Sequence, residues 1–114
     1  MKDDKLYLSH ISECIDKIAT YTKDGKEAFM ADEMIRDAVL RNLEVIGEAV
    51  GKVSLEYRRA HPEIAWRNAR ELRNVLIHNY MGINTERVWS AITNRLPAFK
   101  AQIDALLAAS TDIG

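Results

Sequence analysis

Apolar residues recur along this chain at spacings of three and four, and no strand-length run alternates apolar with polar. That period belongs to helices buried along one face. A first helix is expected from about Asp3 to Tyr21, with Leu6, Ile11, Cys14, Ile15 and Ile18 in or near one stripe. Lys23-Asp24-Gly25-Lys26 supplies a turn. A long second helix follows, from about Lys26 or Asp32 to Lys52, with Met34, Ile35, Ala38, Val39, Val45, Ile46, Ala49 and Val50 apolar. Gly47 lies inside it, where glycine costs about 1 kcal/mol relative to alanine. Either another helix approaches closely there or the glycine is a tolerated surface residue.

Gly51 loosens the end of that helix, and Ser54 can cap a short helix from Leu55 to Ala60 with Tyr57 as its aromatic anchor. His61-Pro62 stops it, because proline disfavours helical geometry in the residue before it. Pro62 can in turn open a further helix, from about Pro62 or Ile64 to His78. Beyond Gly82, Asn84 or Thr85 caps a last helix from about Thr85 to Leu107, which Pro97 should kink. The tail from Ala109 to Gly114 is expected to fray. The pattern therefore predicts one all-α domain over residues 1–114, an antiparallel bundle of about four to five helices with short connections.

A chain of 114 residues can bury a core without covalent staples. Its single cysteine, Cys14, excludes an internal disulfide and a cysteine-rich zinc site, and reads as a small core residue. No apolar run approaches about 18 residues, so no membrane span is expected. The charged start MKDDKLYLSH does not resemble a secretory signal, and a cytoplasmic protein is expected. The net charge of −1 hides an asymmetry. Residues 1–37 hold six Lys/Arg against nine Asp/Glu. Residues 52–73 reverse this, with Lys52, Arg58, Arg59, Arg67, Arg70 and Arg73 against Glu56, Glu63 and Glu71. Arginine favours paired contacts with phosphate or carboxylate, so this segment could meet RNA or an acidic partner, or form a solvated, internally paired helix face. Arg67 and Arg70 are the candidates for RNA phosphate or partner contact.

Candidate chemistry gathers in RNVLIHNY, residues Arg73 to Tyr80. On an ideal helix with Arg73 at zero, Ala65, Ala69, Leu72, Val75 and Leu76 fall between about 200° and 320°, a core face. Arg67, Glu71, Asn74 and His78 fall between about 100° and 160°, opposite it. Arg73 and Tyr80 share a mixed border with Trp66 and Ile77, of the kind that often becomes a protein contact. Histidine can move a proton near neutral pH, and arginine can hold a phosphate as charge builds on its oxygens. RNA brings its own nucleophile in the 2′-hydroxyl, so such cleavage requires no metal. Arg73 and His78 point about 140° apart on an ideal helix, which a distorted helix end, a long arginine reach or a two-fold dimer could reconcile.

Other residues allow two readings. Glu44 and Glu48 lie one turn apart and could act as paired carboxylates, or form solvated ion pairs, including pairs with arginines of the motif helix. Trp66 and Trp89 could stack bases or pack internally. His10 and His61 lack a second ligand at metal spacing and read as surface or capping residues.

The string Arg73-(four residues)-His78-Asn79-Tyr80 matches the R-x4-H-x-Y pattern of HEPN-domain proteins, with asparagine following the arginine as is typical there. Together with RNLEVIGEAV (Arg41 to Val50), HPEIAWRNARELRN (His61 to Asn74) and the last helix, it makes nearly the whole chain resemble the HepT toxin family. That resemblance implies an all-α bundle that dimerises and brings two R-x4-H motifs into one cleft. It implies a type VII-like toxin–antitoxin system and a metal-independent endoribonuclease leaving a 2′,3′-cyclic phosphate. By matched position, Arg73 and His78 would be catalytic, Asn74 a helper, and Tyr80 the residue to which a MntA-like minimal nucleotidyltransferase antitoxin transfers AMP. ATP and Mg²⁺ would belong to that partner, with no cofactor in this chain. A different class of function stays open beside it: a non-catalytic helical partner and modification substrate of a nucleotidyltransferase.

Overall fold

The computed structural model describes residues 2–67, 69–70 and 84–113. The fold is all-α, with no strand among the described residues. The elements are α1 (Lys2–Tyr21), α2 (Lys26–Ala31), α3 (Glu33–Lys52), α4 (Leu55–Ala60), α5 (Thr85–Asn94) and α6 (Leu96–Ile113). Residues 66–67 and 69–70 are also helical and begin the segment that leads to RNVLIHNY.

Of the two starts expected for the long second helix the structure takes Asp32, with a separate α2 before it, and the last expected helix is divided as well, which is why more elements are present than the four to five expected. Asp32 takes an extended conformation (φ −109°, ψ 108°) and divides α2 from α3. Its carboxylate accepts from the backbone N–H groups of Met34 at 2.9 Å and Ile35 at 3.3 Å, so it caps α3. Across the break, the Arg36 guanidinium donates to the carbonyls of Phe29, at 3.3 Å, and Met30, satisfying the end of α2. The second interruption falls at Arg95 (φ −109°, ψ −41°). Pro97 cannot donate to the carbonyl four residues earlier, so the helix restarts at Leu96 with the proline in its first turn. The expected kink is thus a break. At its far end α6 stays helical through Ile113, past Ala109 where fraying was expected. The stretch Ala105 to Ala109, built of Ala and Leu, has high helix propensity.

Smaller features follow the sequence closely. Gly25 adopts φ 95°, a left-handed geometry that strains other residues, and its carbonyl accepts from Phe29 at 3.1 Å to open α2. Ser54 caps α4 by accepting from the Tyr57 N–H at 3.1 Å, and Asn84 caps α5 by accepting from Arg87 at 3.2 Å. Gly47 is buried, which removes the surface-glycine alternative.

One core joins the elements. Leu8, Ile11, Ile15 and Ile18 of α1 face Val39, Leu43, Ile46 and Val50 of α3, and α1 also packs on α6. Leu6, expected in or near the α1 stripe, and Met34, among the apolar positions of the second helix, stand outside this core at 65% and 81% exposure. Each is about 140–200° around its helix from the nearest true stripe member, Leu8 or Val39.

Cross-links fix the directions. Ser12 donates to Asp104 at 2.7 Å and Lys100 pairs with Asp16 at 3.4 Å, so α1 and α6 run antiparallel. Asp4 at the start of α1 bonds Ser54 just past α3, so these two are antiparallel as well. Lys26–Glu86 at 2.8 Å and the tilted Phe29–Trp89 ring pair at 5.3 Å hold α2 against α5.

Candidate functional site

Arg73, Asn74, His78 and Tyr80 lie outside the described residues, which end at residue 70 before them and begin again at Asn84 after them. On the entry side, Pro62 does not start the helix. Residues 62–64 form a turn, closed by Ile64 N–H donating to the His61 carbonyl at 3.2 Å. Helical geometry begins at residue 66, later than the expected Pro62 or Ile64, with Ala69 N–H donating to the Ala65 carbonyl at 3.2 Å. Alanine has no side-chain oxygen to cap a helix, and Ala65 is held from outside instead. Its N–H donates to Gln102 Oε1 at 3.3 Å, while Gln102 Nε2 donates to the Glu63 carbonyl at 3.0 Å.

Trp66 completes this anchor. It is 8% exposed, donates through Nε1 to the His61 carbonyl at 3.0 Å, and meets Phe99 edge-on at 6.4 Å. Tyr57 lies edge-on to Trp66 at 6.5 Å and covers His61 at 4.5 Å. Burial pushes the Tyr57 hydroxyl above its ordinary pKa of 10.0, and the charges of Asp4 and Glu63 add to the effect. Contacts 63/65 with 102 and 66 with 99 show that the entry segment runs antiparallel to α6. On the exit side, Asn84 caps α5, whose first turns are fixed by Lys26–Glu86 and Phe29–Trp89.

The helical projection holds for Ala69 and Arg67 but not for Trp66, which was placed on the mixed border and is 8% exposed. Ala69 is buried and Ala65 half-buried, while Arg67 is exposed. Arg67 and Arg70 are exposed, and neither forms an ion pair with another described residue. Arg58 differs, because its Nε donates to the Val53 carbonyl at 3.2 Å and closes the end of α3.

The remaining candidates resolve toward structure. Trp66 is enclosed and cannot stack a base, and Trp89 is half-buried against Phe29. Glu44 pairs with Arg41 of its own helix at 3.6 Å, and Glu48 is exposed. His61 ends α4, and its Nδ1 lies 3.5 Å from Glu63, while His10 is exposed. Cys14 is buried, which pushes its thiol above the ordinary 9.0. Among the described residues no group of three His, Cys, Asp or Glu could hold a metal ion. None of the described helices is long and apolar enough to cross a membrane.

Two residues that sequence reading passed over matter here. Gln102 stands among Phe99, Ile103 and Leu106, and a polar residue within that apolar run was the available signal. Asp4 is 2% exposed, and its two oxygens accept from Ser54 N–H and Ser54 Oγ, both at 2.7 Å. Fifty residues separate that pair, so no local pattern reveals it.

Comparison with known proteins places this architecture. The profile of the family described as "Ribonuclease HepT-like" matches residues 11–106. A Thermococcus cleftensis protein named "Probable ribonuclease HepT" is 36% identical over 103 residues, covering 90% of this chain and 94% of that one. A "Putative RNase" of Caldanaerobacter subterraneus subsp. tengcongensis is 34% identical over 108 residues, covering 94% and 96%. A "Gamma-glutamylcyclotransferase and putative RNase" of Methanocaldococcus jannaschii is 38% identical over 103 residues; the match takes in 90% of this chain but only 46% of that longer protein. No solved structure matches the chain. By the extent of the profile match and of its full-length relatives, this chain belongs to the HepT-like ribonuclease family.

Proposed function

We propose that this protein is a metal-independent endoribonuclease and the toxin of a type VII-like toxin–antitoxin pair. The observation that carries the reading is the R-x4-H-x-Y string, Arg73 to Tyr80, in a HepT-like chain. His78 takes the proton of an RNA 2′-hydroxyl, and the freed oxygen attacks the neighbouring phosphorus. The bond to the 5′-oxygen breaks, that oxygen leaves with a proton, and a 2′,3′-cyclic phosphate remains. Arg73 balances the charge that grows on the non-bridging oxygens. Asn74 orients His78 or donates to the substrate. With a net charge of −1, RNA affinity comes from local cations, and exposed Arg67 and Arg70 are the candidates for RNA phosphate or antitoxin contact.

A homodimer places two motifs in one cleft, which reconciles the divergent directions of Arg73 and His78. Tyr80 is the control point. A MntA-like nucleotidyltransferase, carrying ATP and Mg²⁺ itself, transfers AMP to the tyrosine oxygen as pyrophosphate leaves. The added phosphate charge and nucleotide bulk then obstruct RNA beside Arg73.

Mixing inactive variants tests this. If each site takes Arg73 from one protomer and His78 from the other, Arg73→Ala and His78→Ala subunits allowed to exchange restore about a quarter of wild-type cleavage, by random pairing in a two-fold dimer. No recovery in demonstrated heterodimers contradicts the shared site. Products lacking a 2′,3′-cyclic phosphate contradict the mechanism. Expression with the partner enzyme should add AMP mass to Tyr80 and lift growth inhibition; an active toxin carrying that mass contradicts the control.

A further inference from the structure

We infer that Gln102 is a positioning residue for RNA cleavage, fixing against α6 the segment that enters the motif. The inference rests on the ribonuclease reading above and adds a residue to it. Helical geometry resumes at residue 66, seven residues before Arg73, and Ala65, the residue before it, has no capping side chain. An open groove runs along part of the seam between this segment and α6. Ala65 and Ala69 face Asn94, Arg95, Ala98, Phe99 and Gln102 across a groove of about 190 Å³. Ala65 and Ala69 bring only methyl groups to this groove, and methyls fix the height or rotation of a helix less firmly than large interlocking side chains do.

Directional bonds supply what packing omits. Gln102 uses both ends of its amide on the entering backbone: Oε1 accepts from Ala65 N–H at 3.3 Å, and Nε2 donates to the Glu63 carbonyl at 3.0 Å. These bonds bridge 37 and 39 residues of sequence and mimic one rung of a backbone ladder. Trp66 pins the segment to Phe99 one turn along α6, but an edge-on ring contact tolerates sliding and tilting more readily than a paired amide. Small displacements count, because a misplacement of about 1 Å of reacting groups can lower a rate by roughly a hundred-fold.

The test is steady-state cleavage of a labelled RNA by full-length protein freed of AMP, comparing wild type with Gln102→Ala and Gln102→Glu. Gln102→Ala is expected to lower kcat about ten-fold, with KM within about two-fold and native circular dichroism at the assay temperature. Gln102→Glu carries the discriminating readout. Its ionised carboxylate still accepts from Ala65 N–H but repels the Glu63 carbonyl; once protonated, the carboxylic acid can make both bonds again. Its kcat relative to wild type should therefore recover as pH falls from 7 toward 4, through the ordinary glutamate pKa of about 4.3 and with the nearby Arg95 and Glu63 charges acting in opposite senses, whereas the Gln102→Ala deficit stays constant. A folded Gln102→Ala with wild-type kcat overturns the inference and leaves the ribonuclease reading standing. A Gln102→Glu deficit that ignores pH, in folded protein, overturns it too. Wild-type protein that cuts no RNA overturns both.

Discussion

Replacing Asp4 should unsettle the junction between α3 and α4 from 50 residues away. The carboxylate is 2% exposed and accepts two hydrogen bonds at 2.7 Å, from the backbone and the hydroxyl of Ser54. Ser54 in turn accepts from Tyr57 N–H at 3.1 Å, so the chain Tyr57–Ser54–Asp4 ties the first turn of α4 to the first turn of α1. Hydrogen bonds to a charged acceptor contribute about 1.5–3 kcal/mol each, and an orphaned buried donor costs about 1–3 kcal/mol. Relief of the carboxylate's own burial offsets part of that loss. Asp4→Ala should therefore cost about 3 kcal/mol, or roughly 12 °C in Tm at about 4 °C per kcal/mol for a domain of this size. Asp4→Asn keeps the shape: its oxygen can accept from Ser54 N–H, and its NH₂ can donate to the second lone pair of Ser54 Oγ. It should cost only about 1 kcal/mol. Urea unfolding of both variants, with Ser54→Ala and the double variant to close a cycle, measures the coupling. If Asp4→Ala lies within about 0.5 kcal/mol of wild type, or if Asp4→Asn is as damaging as Asp4→Ala, the reasoning is refuted.

Three further perturbations follow from the same structure. Asp32→Ala removes the cap of α3 and should cost about 1 kcal/mol by urea unfolding, whereas Asp32→Asn, which keeps the accepting oxygen, should cost little. Burial pushes the Asp104 carboxyl up, but hydrogen bonds from Lys100 and Ser12 and the Lys100 charge outweigh it and hold it below the ordinary 3.8. A depressed carboxyl stabilises the fold above its unfolded pKa and loses that effect as pH falls through the folded value. Asp104→Asn should therefore flatten the stability–pH curve below about pH 4, by no more than about 1 kcal/mol since the side chain is 43% exposed. Cys14 should resist alkylation at pH 8 in native protein and react fully in denaturant, as mass spectrometry would show; fast native reaction contradicts its burial.

Much of the fold could be read from period and punctuation. The α1 and α4 spans, the caps Ser54 and Asn84, and the turn at Gly25 all depend on residues within a few positions of one another. The two interruptions were harder. Asp32 can sit at the edge of a continuous helix or start a new one, and the outcome depends on Arg36 folding back onto the Phe29 and Met30 carbonyls. Pro97 announced a disturbance without deciding between a kink and a restart at Leu96. Leu6 and Met34 misled because hydrophobicity alone does not show which neighbour a helix will find. Of the candidate site, Arg67 is exposed on the face that the projection puts opposite the core. The Gln102 clamp was invisible because its partners are main-chain atoms, which carry no signature in sequence.

The most direct test of the central claim is cleavage of a labelled RNA pool in EDTA by AMP-free protein, beside His78→Ala purified identically. Cleavage should survive EDTA in wild type and disappear in the variant. Equal cleavage by both samples, or none by wild type shown by mass to be unmodified, would contradict it.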